Sequence, residues 1–276
     1  MAKSNLAVRF ATAGVGAPVI LALLYFGPAW GWLVFLCVAA AIGAYELFGM
    51  VAPEDKVSRV LGVVITDALM VAIYFYTTDP RVLLTVLLVG PAISMGVVLA
   101  RLGDMKTAAL RVACFVFGPI YLGGGLGAAA LLRRDGGVDG ASFVVLSLML
   151  SWLSDTGAYF AGRFLGKRKL YEAVSPKKTV AGAFGGLGGA VVGALLAHFF
   201  YLRSLPLVDG LVLAIVGGAL GQAGDLGESL FKRSVGVKDS GGIVPGHGGI
   251  LDRVDAMMVT SIATYLYVLW IRGVAP

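Results

Sequence analysis

Residues Trp30–Met50 read WGWLVFLCVAAAIGAYELFGM, an apolar run interrupted by a single charge, Glu46. A hydrocarbon core about 30 Å thick is crossed by a helix of ~20 mostly apolar residues, so this stretch reads as a membrane span. Further runs of the same kind tile the chain on either side: Val8–Phe26, Val60–Tyr76, Val82–Ala100, Leu110–Leu132, Ala141–Phe160, Val180–Leu202, Leu207–Leu230 and Ile250–Ile271. Pro28, Pro53, Pro80 and Pro206 fall in the linkers, where helices end readily. The expected fold is all-α, a polytopic integral membrane bundle of about nine transmembrane helices. It reads as a single domain over 1–276, with the first spans in 1–134 and the residues that carry chemistry in 141–276. The apolar start after Met1–Asn5 reads as a retained first span, because no small-x-small cleavage site follows it.

Composition agrees. Only 14% of the 276 residues are charged and 58% are hydrophobic, against about 25% charged in a soluble domain. The two cysteines, Cys37 and Cys114, lie inside apolar runs and support neither a disulfide framework nor a zinc site. A net charge of +6 on so apolar a chain points to anionic lipids and nucleotides as partners, and away from nucleic acid.

Lysine and arginine set the expected orientation. Seventeen of the 22 fall with the N-terminus and the even-numbered linkers: Lys3, Arg9, Lys56, Arg59, Arg101, Lys106, Arg111, Arg163, Lys167, Arg168, Lys169, Lys177, Lys178, Lys232, Arg233, Lys238 and Arg253. Arg81, Arg133, Arg134, Arg203 and Arg272 fall on the other side. The N-terminus is therefore expected in the cytoplasm and the C-terminus on the far side of the cell (inner) membrane. Glycines crowd Gly182–Gly193 and Gly217–Gly227, where small residues let helices approach closely.

A charge within a span costs about 2.5–3.5 kcal/mol on the insertion scale, so each acid calls for a reason. Glu46 and Asp67 stand alone and read as hydrogen-bond partners of a neighbouring helix or as groups near an interface. The C-terminal half differs. Asp155 follows the apolar part of the sixth span, Asp225 and Glu228 are three residues apart toward the end of the eighth, and Asp252 and Asp255 repeat that spacing at the start of the ninth. Three-residue spacing puts both carboxylates on one helical face.

The linker from Lys232 to Gly249 interleaves Lys232, Arg233, Lys238, Asp239, His247 and six glycines. Glycine lets backbone amides approach an anion, and Lys and Arg neutralise phosphates. Clustered carboxylates suit a hard cation such as Mg²⁺ that bridges to substrate phosphates. A second basic loop, Arg163–Thr179, reads either as a positive-inside anchor or as a cradle for a triphosphate. His247, five residues before Asp252, reads equally as a structural or a functional group.

Taken together, Ser229-Leu230-Phe231-Lys232-Arg233, Lys238-Asp239 and Pro245-Gly246-His247-Gly248-Gly249-Ile250-Leu251-Asp252-Arg253-Val254-Asp255 closely resemble the motif of the phosphatidate cytidylyltransferase (CDP-diacylglycerol synthase) family. Asp155, Ala158-Tyr159, Gly162-Arg163, Gly166-Lys167 and Ser175-Pro176-Lys177-Lys178-Thr179 resemble the same family's cytoplasmic loop. The resemblance implies condensation of CTP with phosphatidic acid to CDP-diacylglycerol and pyrophosphate, at a site facing the cytoplasm. It implies Mg²⁺ on Asp225 and Asp252, with Glu228, Asp239 and Asp255 as helpers and a second cation left open. Ser175, Lys177, Lys178 and Thr179 would bind the nucleotide phosphates. Lys232, Arg233, Lys238 and Arg253 would neutralise charge, and Asp239 and His247 complete the candidate catalytic set. A homodimer is implied by the resemblance alone.

A CTP-dependent polyprenol or dolichol kinase would share these features and release CDP in place of pyrophosphate. A CDP-alcohol phosphotransferase would carry an Asp-Gly-x-x-Ala-Arg run, which is missing here. An ion-coupled transporter would explain acids in the membrane but not the Gly-His-Gly-Gly segment between Lys-Asp and Asp-Arg.

Overall fold

A computed structural model describes residue 14, residues 16–242 and residues 248–273 of the chain. Lys3, Arg9, the start of the first expected span and His247 lie outside the described residues. The rest is a helical bundle, and seven of its helices are long and apolar enough to cross a membrane: Ala29–Val51, Lys56–Tyr76, Pro80–Ala100, Met105–Asp135, Gly137–Leu165, Val180–Tyr201 and Leu207–Ser234. The shorter α1, Gly16–Phe26, falls within the first expected span, and α10, Leu251–Trp270, fills the ninth. Charges in the first turn of α10 and its buried Thr260, Ser261 and Thr264 make it less apolar than the seven.

The chain divides into two compact units, one of residues 1–130 with Asp239–Asp252, the other of Leu131–Lys238 with residues 253–276. The first contains α1, α2 (Ala29–Val51), α3 (Lys56–Tyr76), α4 (Pro80–Ala100), α5 (Ala108–Gly118) and the start of α6 (Gly125–Asp135). Phe48 of α2 occupies the space a side chain at Gly62 of α3 would need, and its ring packs at a tilt against Phe115 of α5, with centroids 4.6 Å apart. The fifth expected span is not one regular helix. Pro119 lacks an N–H and crowds the preceding turn, and Pro119–Gly124 widens into a π-turn that absorbs the defect between α5 and α6.

Helix starts in this unit follow simple chemistry. Asp79 caps α4 through the N–H of Arg81, with Pro80 at the first helical position. Asp55 caps α3, accepting from the N–H groups of Val57 and Ser58, and pairs with Arg101 at 2.9 Å. Buried Arg111 donates to the carbonyl oxygens of Arg101, Leu102 and Asp104, closing the turn after α4.

The second unit holds α7 (Gly140–Leu165), α8 (Val180–Leu196), α9 (Leu207–Ser234) and most of α10. The glycine-dense stretches serve close approach, as expected. A Cβ at Gly157 of α7 would fall on the carbonyl oxygen of Gly185 of α8, and one at Gly189 would fall on that of Leu153. On α9, a Cβ at Gly218 would stand 2.9 Å from the Ala190 methyl of α8, and one at Gly221 would stand 2.9 Å from the Thr260 methyl of α10.

Three local features depart from the sequence reading. The basic loop Arg163–Thr179 contains an antiparallel hairpin of β1 (Lys169–Tyr171) and β2 (Ser175–Thr179). Helix α7 continues to Leu165, which carries Arg163 onto the helix. Helix α9 continues to Ser234, so Lys232 and Arg233 stand in its last turn and not in a linker. The negative end of the helix dipole favours cations there, and Glu228 one turn earlier pairs with Lys232 at 2.6 Å.

Two stability predictions follow from this packing. Gly157→Ala should lose about 1–3 kcal/mol, because the obstructing atom is backbone and cannot swing aside. Gly227→Ala, with open space around it, should stay within about 0.5 kcal/mol. Thermal melts in detergent of the two variants compare them directly. The second concerns Asp55, whose carboxyl is held well below the usual carboxylate range by the hydrogen bond from Arg101 and by those from Ser58. A depressed pKa gives stability that is whole above the unfolded value of about 3.9 and is lost as pH falls toward the folded one. Asp55→Asn should therefore melt lower than wild type from pH 8 to 5, with the gap closing below about pH 4.

Candidate active site

In the second unit, α7, β2 and α9 surround a cavity of about 380 Å³. Asp155, Tyr159 and Arg163 lie one turn apart along a single face of α7 and point into it. The hairpin delivers Lys177 and Lys178, and α9 contributes Gln222 and Asp225. Thr179 ends β2 and caps α8, its hydroxyl oxygen accepting the Gly182 N–H at 3.0 Å, which fixes where the hairpin's lysines emerge. Gln222 donates to the carbonyl of Ala183 at 3.1 Å and lies 3.4 Å from the Ser154 hydroxyl, binding α9 to α8 and α7.

The charges in this cavity are of both signs. Lys178 Nζ stands 2.6 Å from Asp225 Oδ2, close enough for an ion pair. The two opposite charges offset each other across this contact. Asp155 feels Asp225 as a like charge and Lys178 and Arg253 as opposite ones, and Asp255, 8% exposed, feels Asp225, Glu228 and Asp155. Two cationic side chains from one strand and a guanidinium from α7 suit a polyanion; the carboxylates offer oxygen only.

The three-residue spacing on α9 splits its two acids. Asp225 faces the cavity, whereas Glu228 is 4% exposed and paired with buried Lys232. Arg233 donates to the carbonyls of Val174 at 3.4 Å and Val237 at 3.0 Å, holding the hairpin turn to the end of α9. Ser175 pairs with Tyr171 in the hairpin and is not part of the cavity wall. Lys238, Asp239 and Arg253 are exposed, and His247 lies outside the described residues.

Asp252 belongs to the first unit. Its Oδ2 accepts from the N–H of Ser240 at 3.1 Å, the N–H of Gly249 at 3.0 Å and the Ser240 hydroxyl at 3.0 Å. Two amides of the glycine-rich segment are thus directed at the protein's own carboxylate. Gly248 has φ +82°, the left-handed region that glycine enters without strain. A Cβ at Gly249 would overlap the Ser240 hydroxyl and the carboxylate of Glu46. Glu46 Oε2 accepts the Leu251 N–H at 3.0 Å and lies 3.3 Å from Ser240 Oγ.

No group of three or more His, Cys, Asp or Glu side chains forms a ready metal shell among the described residues. Mg²⁺ does not require one. It is bound through one or two carboxylates with waters and substrate phosphates completing the octahedron, so the oxygen-only set around Asp225 fits it.

A model of the cytidylyltransferase family matches residues 7–271. Among curated proteins, a phosphatidate cytidylyltransferase of Staphylococcus haemolyticus is 47% identical over 120 residues, which is 44% of this chain and 46% of the relative. Those of Staphylococcus saprophyticus and Staphylococcus aureus (strain COL) are 47% and 43% identical over the same shares. The aligned part spans about half the length of the curated relatives.

Lys178→Gln should weaken binding of inorganic pyrophosphate to the detergent-solubilised protein by roughly 10–100-fold, the weight of one hydrogen bond to a charged group. Titration calorimetry measures this, and Lys106→Gln, exposed in the first unit and outside the cavity wall, serves as the control.

Proposed function

Since this chain belongs to the cytidylyltransferase family, we propose that it transfers CMP from CTP to phosphatidic acid, giving CDP-diacylglycerol and pyrophosphate. The single observation that carries this reading is the cavity in which Lys177, Lys178 and Arg163 stand beside Asp225 and Asp155. Such a mixture of charges suits a triphosphate that arrives with a metal ion.

The phosphate monoester of the lipid carries about −1.5 to −2 charge at pH 7 and is already a nucleophile. One of its oxygens attacks the α-phosphorus of CTP in line; the bond from that phosphorus to the bridging oxygen breaks, and pyrophosphate leaves. No covalent enzyme intermediate and no protein base is required. The protein's work is to offset the repulsion of two polyanions and to align them.

Lys178 suits that task because it starts paired with Asp225. An incoming triphosphate replaces one anionic partner by another, so the lysine is never left bare. Arg163, stacked 5.9 Å from the Tyr159 ring and bonded to its hydroxyl, is pre-oriented toward the same space. Lys177, Lys178 and Thr179 are the proposed phosphate-binding residues, and Ser175 contributes through the hairpin.

Asp225 and Asp252 are the residues proposed to hold Mg²⁺, with Asp255 in support. Glu228 is better described as the partner of Lys232. When bound, Mg²⁺ supplies Lewis-acid stabilisation of charge on the phosphoryl oxygens. The lysine and arginine count supports a cytoplasmic N-terminus and a site at the cytoplasmic face, where soluble CTP would meet a lipid whose tails stay in the bilayer.

The test is purified protein in detergent given labelled CTP, phosphatidic acid and Mg²⁺, with both products identified. The expected result is labelled CDP-diacylglycerol and one pyrophosphate per turnover; CDP with a phosphorylated lipid would mean a kinase instead. Asp225→Asn and Asp252→Asn should each lower kcat by about 10²–10³-fold, as loss of a preorganised electrostatic contact does, with melting temperature retained. A near-normal rate in either variant removes that residue from the site.

A further inference from the structure

Glu46 is 5% exposed near the C-terminal end of the apolar helix α2, and nothing in the proposed reaction uses it. A buried acid at that level carries an insertion cost and persists where something answers it. What answers it is the segment Asp239–Asp252. Glu46 Oε2 accepts the N–H of Leu251, one of the amides in the first turn of α10 that no helical carbonyl can reach. The same oxygen lies 3.3 Å from the hydroxyl of Ser240, and that hydroxyl lies 3.0 Å from Asp252 Oδ2. One carboxylate therefore holds both ends of the segment.

The surrounding shape fits this role. Side chains at Gly241 and Gly249 would both run into the Glu46 carboxylate, so the backbone closes around it on two sides. Its second oxygen, Oε1, meets no donor among the described residues, which leaves the Leu251 amide and the Ser240 hydroxyl as the contacts that orient it. Ser240 has one hydroxyl proton and two carboxylates within reach, so it donates to one at a time. The orientation of Asp252 is thereby tied to that of Glu46 through a shared hydroxyl.

We propose that Glu46 is a positioning residue for Asp252, acting through Ser240 and the Leu251 amide to fix the direction in which the Asp252 carboxylate points. This rests on the cytidylyl-transfer reading for its effect on rate, but not for its effect on the segment itself. It also gives the helices before the motif a task, which is to grip the segment that carries Asp252.

Glu46→Gln, Glu46→Ala and Ser240→Ala, singly and with Glu46→Ala and Ser240→Ala combined, test it by two readouts. In the cytidylyl-transfer assay each single change should lower kcat about tenfold or more at unchanged KM for CTP, the weight of a hydrogen bond to a charged group. The double variant should be little worse than Glu46→Ala, because both act along one path. In hydrogen exchange of the full chain, amides of Ser240, Gly249 and Leu251 should exchange faster in Glu46→Ala, with α2 and α3 unchanged. Wild-type kcat in Glu46→Ala, additive losses in the double variant, or protection lost across all of the first unit would overturn the proposal. Ser240→Ala, which removes only one oxygen, keeps the test open if Glu46→Ala does not fold. If wild-type protein makes no cytidylyl lipid, the functional reading fails, and exchange at Leu251 and Gly249 alone decides the case for Glu46.

Discussion

A carboxylate among apolar helices is costly unless a donor or a cation answers it, and the acids of this structure are answered in different ways, with Asp67 Oδ1 meeting no partner among the described residues. Glu228 takes buried Lys232 one turn along its own helix. Asp135 and Asp209 take the hydroxyls of Tyr265 and Tyr267 from α10, at 2.9 and 2.7 Å. Asp225 takes a lysine from outside the helices altogether, Lys178 of β2. The partners of the first three lie on helices and are fixed by packing. The partner of Asp225 sits on a short hairpin, and both side chains line the cavity of the second unit.

Glycine makes this possible by setting distances. At the crossing of α7 and α8, backbone meets backbone with no room for a Cβ at Gly157, Gly185 or Gly189. Helices this close hold the face of α7 that bears Asp155, Tyr159 and Arg163 beside the hairpin that precedes α8. Thr179 links the two, since it ends β2 and caps α8 with the same side chain. The cavity is thus a consequence of tight packing below it and a capped helix beside it.

Much of this was legible in the sequence, and the limits have physical causes. Apolar length identified the spans, because a bilayer leaves little freedom in how long a crossing helix can be. Glycine density at Gly182–Gly193 announced close contact. The hairpin escaped because β1 and β2 are three and five residues long and carry Lys169, Lys177 and Lys178, without the alternation that marks a strand. The i, i+3 rule put Asp225 and Glu228 on one face, but neighbours and not spacing decided that one would line a cavity and the other be buried. Glu46 hydrogen-bonds the start of α10, whereas Asp67 Oδ1 meets no partner among the described residues; the partners of Glu46 are 194 and 205 residues away, beyond any local pattern.

The two acids proposed to hold a metal ion, each in its own unit, have different partners. Asp225 pairs with a single lysine, Lys178 of β2. Asp252 is held by two backbone amides and a hydroxyl, which cannot leave without unfolding the segment. Amide donors lower the energy of a carboxylate in its charged form and fix its direction, so a ligand of that kind meets a cation with little reorganisation. The apolar helices that precede the motif then have a reason to carry Glu46, since rigidity at Asp252 depends on what its segment is anchored to.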